Sequence, residues 1–495
     1  MKKIISIFLA FILIVSLASC DPITTPIDNT DNGDDNQNTV DVMDHLDLYY
    51  INDTHGAILQ NSEQMGLANI GNLVLTQKQA NPDETLFLAG GDILQGNVLS
   101  NYFYGASTID ILNEMQLDVF VLGNHEFDWG LETVTKYFRD DVESDVKANF
   151  PLLGANVFYD GTYDRPEGVD AYAIIQKGDL KIGVIGVVGT NIESSIATAM
   201  IDPYYFDDAA YWTGYYAEYL RTVEQVDMVI AIDHDDSDGY NQQVAALEGD
   251  SYVDVIFNGH SHYTYVDSFE RDPQTCYVVQ SGANGENVGN VHFTIADGSI
   301  TDVTAKNLNQ YNEILLNSPN QDVADKIATY VTQIEPLLNE VIITTGESMS
   351  RGELTTYMAK LMRLKTGADI AFHNYGGTRT AVDYHQDVTV ATLYEIFPFD
   401  NVIKTVYLKG SDVKSFMTTS DGSYYDTNVT NFDDDTYYLV ATNDYVFDKE
   451  YYPFIYGDQI DATGILLRDV LEDALRNMAL TYEYFYLNNP ITFTE

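Results

Sequence analysis

The stretch Asp118-Val119-Phe120-Val121-Leu122-Gly123-Asn124-His125-Glu126-Phe127-Asp128-Trp129-Gly130 decides the reading of this chain. It opens as a short run rich in β-branched and aromatic residues, the pattern of a buried strand, and ends abruptly in polar side chains able to ligate metals or move protons. The same pattern repeats on both sides. Upstream, His45 to Ile51 runs into Asn52-Asp53-Thr54-His55-Gly56, and Thr85 to Ala89 runs into Gly90-Gly91-Asp92. Downstream, Lys181 to Ile185 is a further apolar run, Asp227 to Ala231 leads to His234, and Asp254 to Phe257 leads to Gly259-His260-Ser261-His262. Helical stretches fall between several of the strands, at Thr108 to Met115 and Tyr211 to Val226, so a layered α/β domain is predicted.

Ligands of open α/β sheets gather beyond the carboxyl ends of the strands, so these clusters can converge on one place. Asp53, His55, Asp92, Asn124, His234, His260 and His262 supply carboxylate, imidazole and amide donors and no thiolate. That set suits two divalent ions of the Zn, Mn, Co or Fe type. A pair of ions so held would present hydroxide for in-line attack on phosphorus. A lone Asp-x-His or Gly-Asp would mean little, but five such clusters in order, all at strand ends, do not read as chance.

These motifs resemble the calcineurin-like metallophosphoesterases. The longer strings, with Pro151-Leu152-Leu153-Gly154-Ala155-Asn156, resemble the 5′-nucleotidase branch, which includes UDP-sugar hydrolases and 2′,3′-cyclic-nucleotide phosphodiesterases. The resemblance implies an N-terminal four-layer α/β/β/α sandwich followed by a C-terminal α+β substrate-binding domain. One ion would be held by Asp53, His55, Asp92 and His262, the other by Asp92, Asn124, His234 and His260. His125 would be general acid or transition-state stabiliser, with Asp128 orienting it, a pairing that favours the protonated imidazole.

In the second half, Asn374-Tyr375-Gly376-Gly377-Thr378-Arg379 and Phe397-Pro398-Phe399-Asp400-Asn401 resemble that family's substrate clamp. Arg379 would bind phosphate as a planar bidentate donor, with Asn124 and Gly377 beside it. Asn374 would contact the base, and Phe399 and Tyr445 would stack on it. Arg351 lies near a second phosphate-binding position of the family. After Tyr445 the family's Gly-Gly-Asp turn is replaced by Phe447-Asp448-Lys449-Glu450-Tyr451-Tyr452, which leaves its ribose-contacting Asp without a counterpart.

The organisation follows. Residues 1–20 read as a lipoprotein signal: Lys2 and Lys3, an apolar run, then Leu17-Ala18-Ser19-Cys20, with Cys20 the lipidated residue. Residues 21–44 read as a disordered tether, 45–305 as the phosphoesterase domain, 306–342 as a linker with a helix, and 343–495 as the nucleotide-binding domain. Helices are predicted in the last part near Leu354 to Lys365 and Thr463 to Met478. The charge balance, 24 basic against 76 acidic residues and a net −52, excludes nucleic-acid polymers and anionic lipid surfaces as partners. Membrane attachment is therefore expected only through the lipid on Cys20, at the outer face of a bacterial cell membrane. The expected function is extracellular phosphate release from nucleotides. The alternatives are a 2′,3′-cyclic phosphodiesterase/3′-nucleotidase, a UDP-sugar hydrolase, or a catalytically weak surface lipoprotein that binds nucleosides or a host partner.

Overall fold

The computed structural model describes residues 43–494 apart from 62, 63, 191, 197, 236, 273, 297 and 450. The signal segment, Cys20 and all but the last two residues of the expected tether lie outside the described residues. Met43 is already buried, packed into the core between two sheets.

Two six-stranded sheets form the N-terminal half. In the first, His45–Ile51 is central, parallel to Thr85–Gly90 and antiparallel to Val288–Ala296. Val119–Val121 and Leu152–Leu153 continue the sheet in parallel. The second is built on Leu180–Val188, Met228–His234 and Val255–Asn258, also parallel. One face of each sheet meets the other through Leu46, Leu48, Leu86, Val121, Val184, Ile230 and Phe257. Tyr50 and Phe257 stack across this seam at 4.4 Å, and cutting such a buried Phe to Ala costs about 3–5 kcal/mol. The outer faces are covered by helices, Leu67–Ala80 and Ala106–Glu114 on one side and Ala209–Tyr219 and Asp238–Ala245 on the other. The result is a four-layer α/β/β/α sandwich in which the parallel strands of both sheets open toward one rim.

The helix Gln321–Leu338 falls in the stretch read as a linker. Asn320 caps it by accepting from Val323 N at 3.2 Å. Its apolar stripe of Val323, Ile327 and Ile334 belongs to the N-terminal core. Gly71 makes that approach possible, since a Cβ there would lie 3.1 Å from Val323 Cγ2.

The C-terminal half carries a three-stranded and a five-stranded sheet against the helices Arg351–Thr366 and Leu467–Ala479. A capping box at Ser350 and Glu353 starts the first helix, and Gly367 at φ 70° stops it. The second starts later than its apolar pattern predicts. Thr463 to Leu466 finish the strand Asp458–Leu466, which pairs with Val402–Lys409; the β-branched Thr463 and Ile465 fit that pairing better than a helix.

The two halves meet at residues 397–400. Gln95 Nε2 and Asn101 Nδ2 of the N-terminal half both donate to Pro398 O, at 3.0 and 2.9 Å. From the other side the buried Arg468 donates to Phe397 O at 2.9 Å and Pro398 O at 3.3 Å, and pairs with Asp400.

Candidate active site

Each candidate ligand sits just past, or at the end of, a parallel strand. Asp53 and His55 follow His45–Ile51, Asp92 follows Thr85–Gly90, Asn124 follows Val119–Val121, His234 ends Met228–His234, and His260 and His262 follow Val255–Asn258. To turn side chains inward so soon, the backbone leaves its ordinary conformations. Asp53, His55, Asp92, His260 and His262 all have φ between 47° and 70°, a region that costs a non-glycine residue of order 1–3 kcal/mol. Strain at five of the seven candidate ligands marks the cluster as built for a purpose other than stability. The glycines beside them leave space: a Cβ on Gly123 would lie 2.4 Å from Asp92 Oδ1, and one on Gly91 2.4 Å from His234 Nδ1.

The seven side chains converge. His55 Nε2 and His262 Nε2 are 3.0 Å apart, and His262 Nε2 is 3.5 Å from Asp53 Oδ1. His234 Nε2 lies 3.2 Å from Asp92 Oδ2 and 3.2 Å from Asn124 Oδ1, which also faces His260 Nδ1 at 2.9 Å. Two adjoining nests result, Asp53/His55/His262 and Asp92/His234/His260, with His234 Nε2 of the second 4.0 Å from Asp53 Oδ1 of the first. Imidazole orientation is set from behind. His234 Nδ1 faces Gly90 O at 2.7 Å and His55 Nδ1 faces Gln95 O at 3.1 Å, which leaves both Nε2 atoms for the nests.

Electrostatics supports a pair of cations. Burial lifts the Asp53 carboxyl to about 7, with the Asp92 charge adding to it against the pull of His234. Although buried, Asp92 is held well below the usual carboxylate range by His234 and His125, and His234 is in turn pushed up to about 10 because Asp92 outweighs its burial. Burial keeps His55 neutral and lowers His262 to about 4, with Arg379 helping. Neutral imidazoles beside buried carboxylates are the form divalent metals take, and the proton His234 holds against Asp92 is one that a metal would displace. The residues present therefore fit two divalent cations.

His125 faces this cluster from one side. Its Nδ1 lies 2.8 Å from Asp128 Oδ2 and its Nε2 is 3.9 Å from Asp92 Oδ2. Burial disfavours the imidazolium, but Asp128 and Asp92 outweigh that and raise its pKa. A cavity of about 280 Å³ opens beside it, lined by Asp92, Asn124, His125, Asp128, His260 and His262 from the N-terminal half. Asn374, Gly377, Arg379, Phe399 and Tyr445 line it from the C-terminal half. The Phe399 ring stacks on His125 at 5.3 Å and lies under the Arg379 guanidinium at 5.1 Å. Asn374 Oδ1 accepts from Asn443 at 2.9 Å.

Among the candidate substrate-binding residues, Arg351 alone does not line the cavity. Its Nε donates to Thr378 O at 2.8 Å and its guanidinium lies 4.3 Å over the Tyr375 ring, so it braces the Gly376-Gly377-Thr378 turn from behind. The first position of the Arg351–Thr366 helix points it there. Asp400 and Asn401, which stand in the clamp motif without a role of their own, and Asp444, which no motif marks, share the cavity wall, with Asn401 Nδ2 donating to Asp444 Oδ1 at 2.8 Å.

Glu126 was quoted within a motif but given no role. Fully buried, it accepts from the backbone N–H groups of Asp92 and Gly123 (both 2.8 Å), Ile93 (3.0 Å) and Leu94 (3.2 Å). It ties the Asp92 and Asn124 loops together. Glu126→Ala should cost upwards of about 3 kcal/mol, since each buried donor left unpaired costs about 1–3 kcal/mol. Thermal melting should show the loss; an unchanged midpoint would mean the loops hold themselves.

Fold and site together give a two-domain α/β chain with two candidate metal nests on one domain and an arginine-aromatic wall on the other. Residues 46–264 match the calcineurin-like phosphoesterase model, and residues 341–430 match the 5′-nucleotidase C-terminal domain. Together the two matches give the chain the two domains of the 5′-nucleotidases, the phosphoesterase domain first and the C-terminal domain after it. It is 25% identical over 440 residues to a cell wall protein of Listeria monocytogenes, covering 74% of this chain and 55% of that one. It is also 25% identical over 423 residues to a 5′-nucleotidase of Vibrio vulnificus, covering 75% of each. The fold matches the crystal structure of a 5′-nucleotidase precursor from Thermus thermophilus with a TM-score of 0.72, at 20% identity over 88% of this chain and 96% of that one. The chain spans about half or less of the length of the first curated relatives it matches. No helix among the described residues is long and apolar enough to cross a membrane.

Proposed function

We propose that this protein is an exported 5′-nucleotidase that releases phosphate from nucleoside monophosphates. The observation that carries the reading is the shared cavity, where Arg379 and Phe399 from one domain face His125 and both metal nests of the other. Asp53, His55, Asp92 and His262 would hold one divalent cation, and Asp92, Asn124, His234 and His260 the other, with zinc, manganese, cobalt and iron all compatible with the donors. When bound, the cations supply Lewis-acid polarisation of the phosphoryl group and lower the pKa of water.

The chain's own residues do the rest. Arg379 offers a fork of N–H donors to the phosphoryl oxygens. His125, whose protonated form Asp128 favours, stabilises charge developing on the ester or gives its proton to the leaving oxygen. Phe399 and Tyr445 provide apolar faces for a base, and Asn374 an amide. Arg379 is the one guanidinium lining the cavity among the described residues, and Asp400 and Asp444 share that wall. One cationic fork beside two carboxyls suits a monophosphate on a neutral leaving group better than a diphosphate sugar, which favours the nucleotidase over the UDP-sugar hydrolase. Export rests on the signal-like N-terminus, and attachment on a lipid at Cys20.

Phosphate release from 5′-, 3′- and 2′,3′-cyclic nucleotides and UDP-glucose tests this. A 5′-monophosphate should lead the panel. Arg379→Ala should lower kcat/KM about a hundred-fold, or roughly 3 kcal/mol, with the metal content unchanged. A cyclic or sugar nucleotide at the head of the panel would replace the reading.

A further inference from the structure

The other end of the His45–Ile51 strand carries a second set of metal-ligating side chains. His45 and Asp47, two residues apart, share one face of that strand. Asp47 is directly opposite His292 in register on one side and Thr85 on the other, and its N–H donates at 2.8 Å to the carbonyl of Glu84, next to Thr85. Three hydrogen-bonded strands therefore fix where His45, Asp47, Glu84 and His292 sit. They lie roughly 20–25 Å along the strand from Asp53, at about 3.3 Å per residue.

His45 Nε2 is 3.8 Å from Asp47 Oδ2 and 3.7 Å from Glu84 Oε2. Tetrahedral coordination with bonds of ~2.0–2.1 Å has ligand-to-ligand edges of about 3.4 Å, so each carboxylate oxygen already stands near that spacing from His45 Nε2, and rotation of the Glu84 side chain would bring its oxygen and Asp47 Oδ2 to one ion. The supporting contacts are in place. Asp44 Oδ1 faces His45 Nδ1 at 2.5 Å, which puts the lone pair on Nε2, the side turned to the two carboxylates. The other Asp47 oxygen is engaged by His292 Nδ1 and Asn290 Nδ2, each at 3.1 Å, which leaves Oδ2 for a ligand. The His292 ring stacks on His45 at 5.5 Å and limits its rotation. The three donors are only 17–23% exposed, and every charged group acting on His45 is a carboxylate.

We infer that His45, Asp47 and Glu84 form a metal site for a borderline divalent cation of the zinc type, separate from the catalytic nests and closed by water as fourth ligand. The imidazole selects against calcium and magnesium, which take oxygen donors. An ion there would pin the start of the first ordered strand to its neighbour, leaving the chemistry at the far end of the strand untouched.

The test is a count of zinc. Full-length protein is saturated with Zn²⁺, freed of excess by gel filtration, and assayed for metal per chain. His45→Gln and Glu84→Gln should each carry one zinc fewer than the parent, with the same far-ultraviolet dichroism. Equal zinc content in parent and variants would overturn the site. Should either variant fail to fold, crystals of the zinc-loaded parent decide through the anomalous difference map, by a peak between His45 Nε2 and Glu84 or by none.

Discussion

Asp92→Asn is expected to lower kcat at least about a thousand-fold, roughly 4 kcal/mol of barrier, while the protein stays folded. Asp92 stands between the nests: Oδ2 faces His234 Nε2 of one at 3.2 Å, a carboxylate oxygen lies within 4.8 Å of a ring nitrogen of His55 of the other, and Oδ1 accepts from His125 N at 2.8 Å. Asparagine keeps the shape and the hydrogen bond to His125 N, so the local turn should survive. What it removes is the one carboxylate that could bridge two cations. Loss of activity with a melting curve within a few degrees of the parent, and a lower metal content, would agree with this. Near-full activity would take Asp92 out of the centre, and lost hydrolysis with unchanged metal content would make it a chemical rather than a ligating group.

His125→Ala should lower kcat by about 10²–10⁴, the range for a positioned acid, with little change in bound metal because His125 belongs to neither ligand set. Asp128→Asn should cost less, about ten-fold, since it leaves the imidazole in place and removes only the carboxylate at 2.8 Å that raises its pKa and fixes its tautomer. Because Asp128 acts through His125, the double variant should be no worse than His125→Ala alone. Multiplying losses in the double variant would show that Asp128 touches substrate independently.

The strand-end clusters were legible because each is local. A few residues after an apolar run must turn, and Asp53, Asp92, Asn124 and His260 announce themselves by type and position. Glu126 stood in plain view, yet its role depends on backbone N–H groups of residues 92–94, which no side-chain pattern records. Arg468 is more remote still, a helical arginine whose carbonyl partners lie about seventy residues earlier in the chain. The apolar stripe of Gln321–Leu338 could be seen, but not that Gly71 opens a groove for it. Arg351 shows the reverse case, a residue of the expected type whose helix turns it onto Thr378 and Tyr375. The left-handed backbone at five candidate ligands left only a weak signal, since Asp and His adopt positive φ more readily than most residues but still too seldom to mark a turn by type alone.

The seam at Pro398 has a consequence for substitution. Gln95 and Asn101 grip a main-chain carbonyl and ask nothing of the side chains around it. Exchange of the neighbouring aromatics, or of the segment after Tyr445, would therefore leave this main-chain grip between the halves intact.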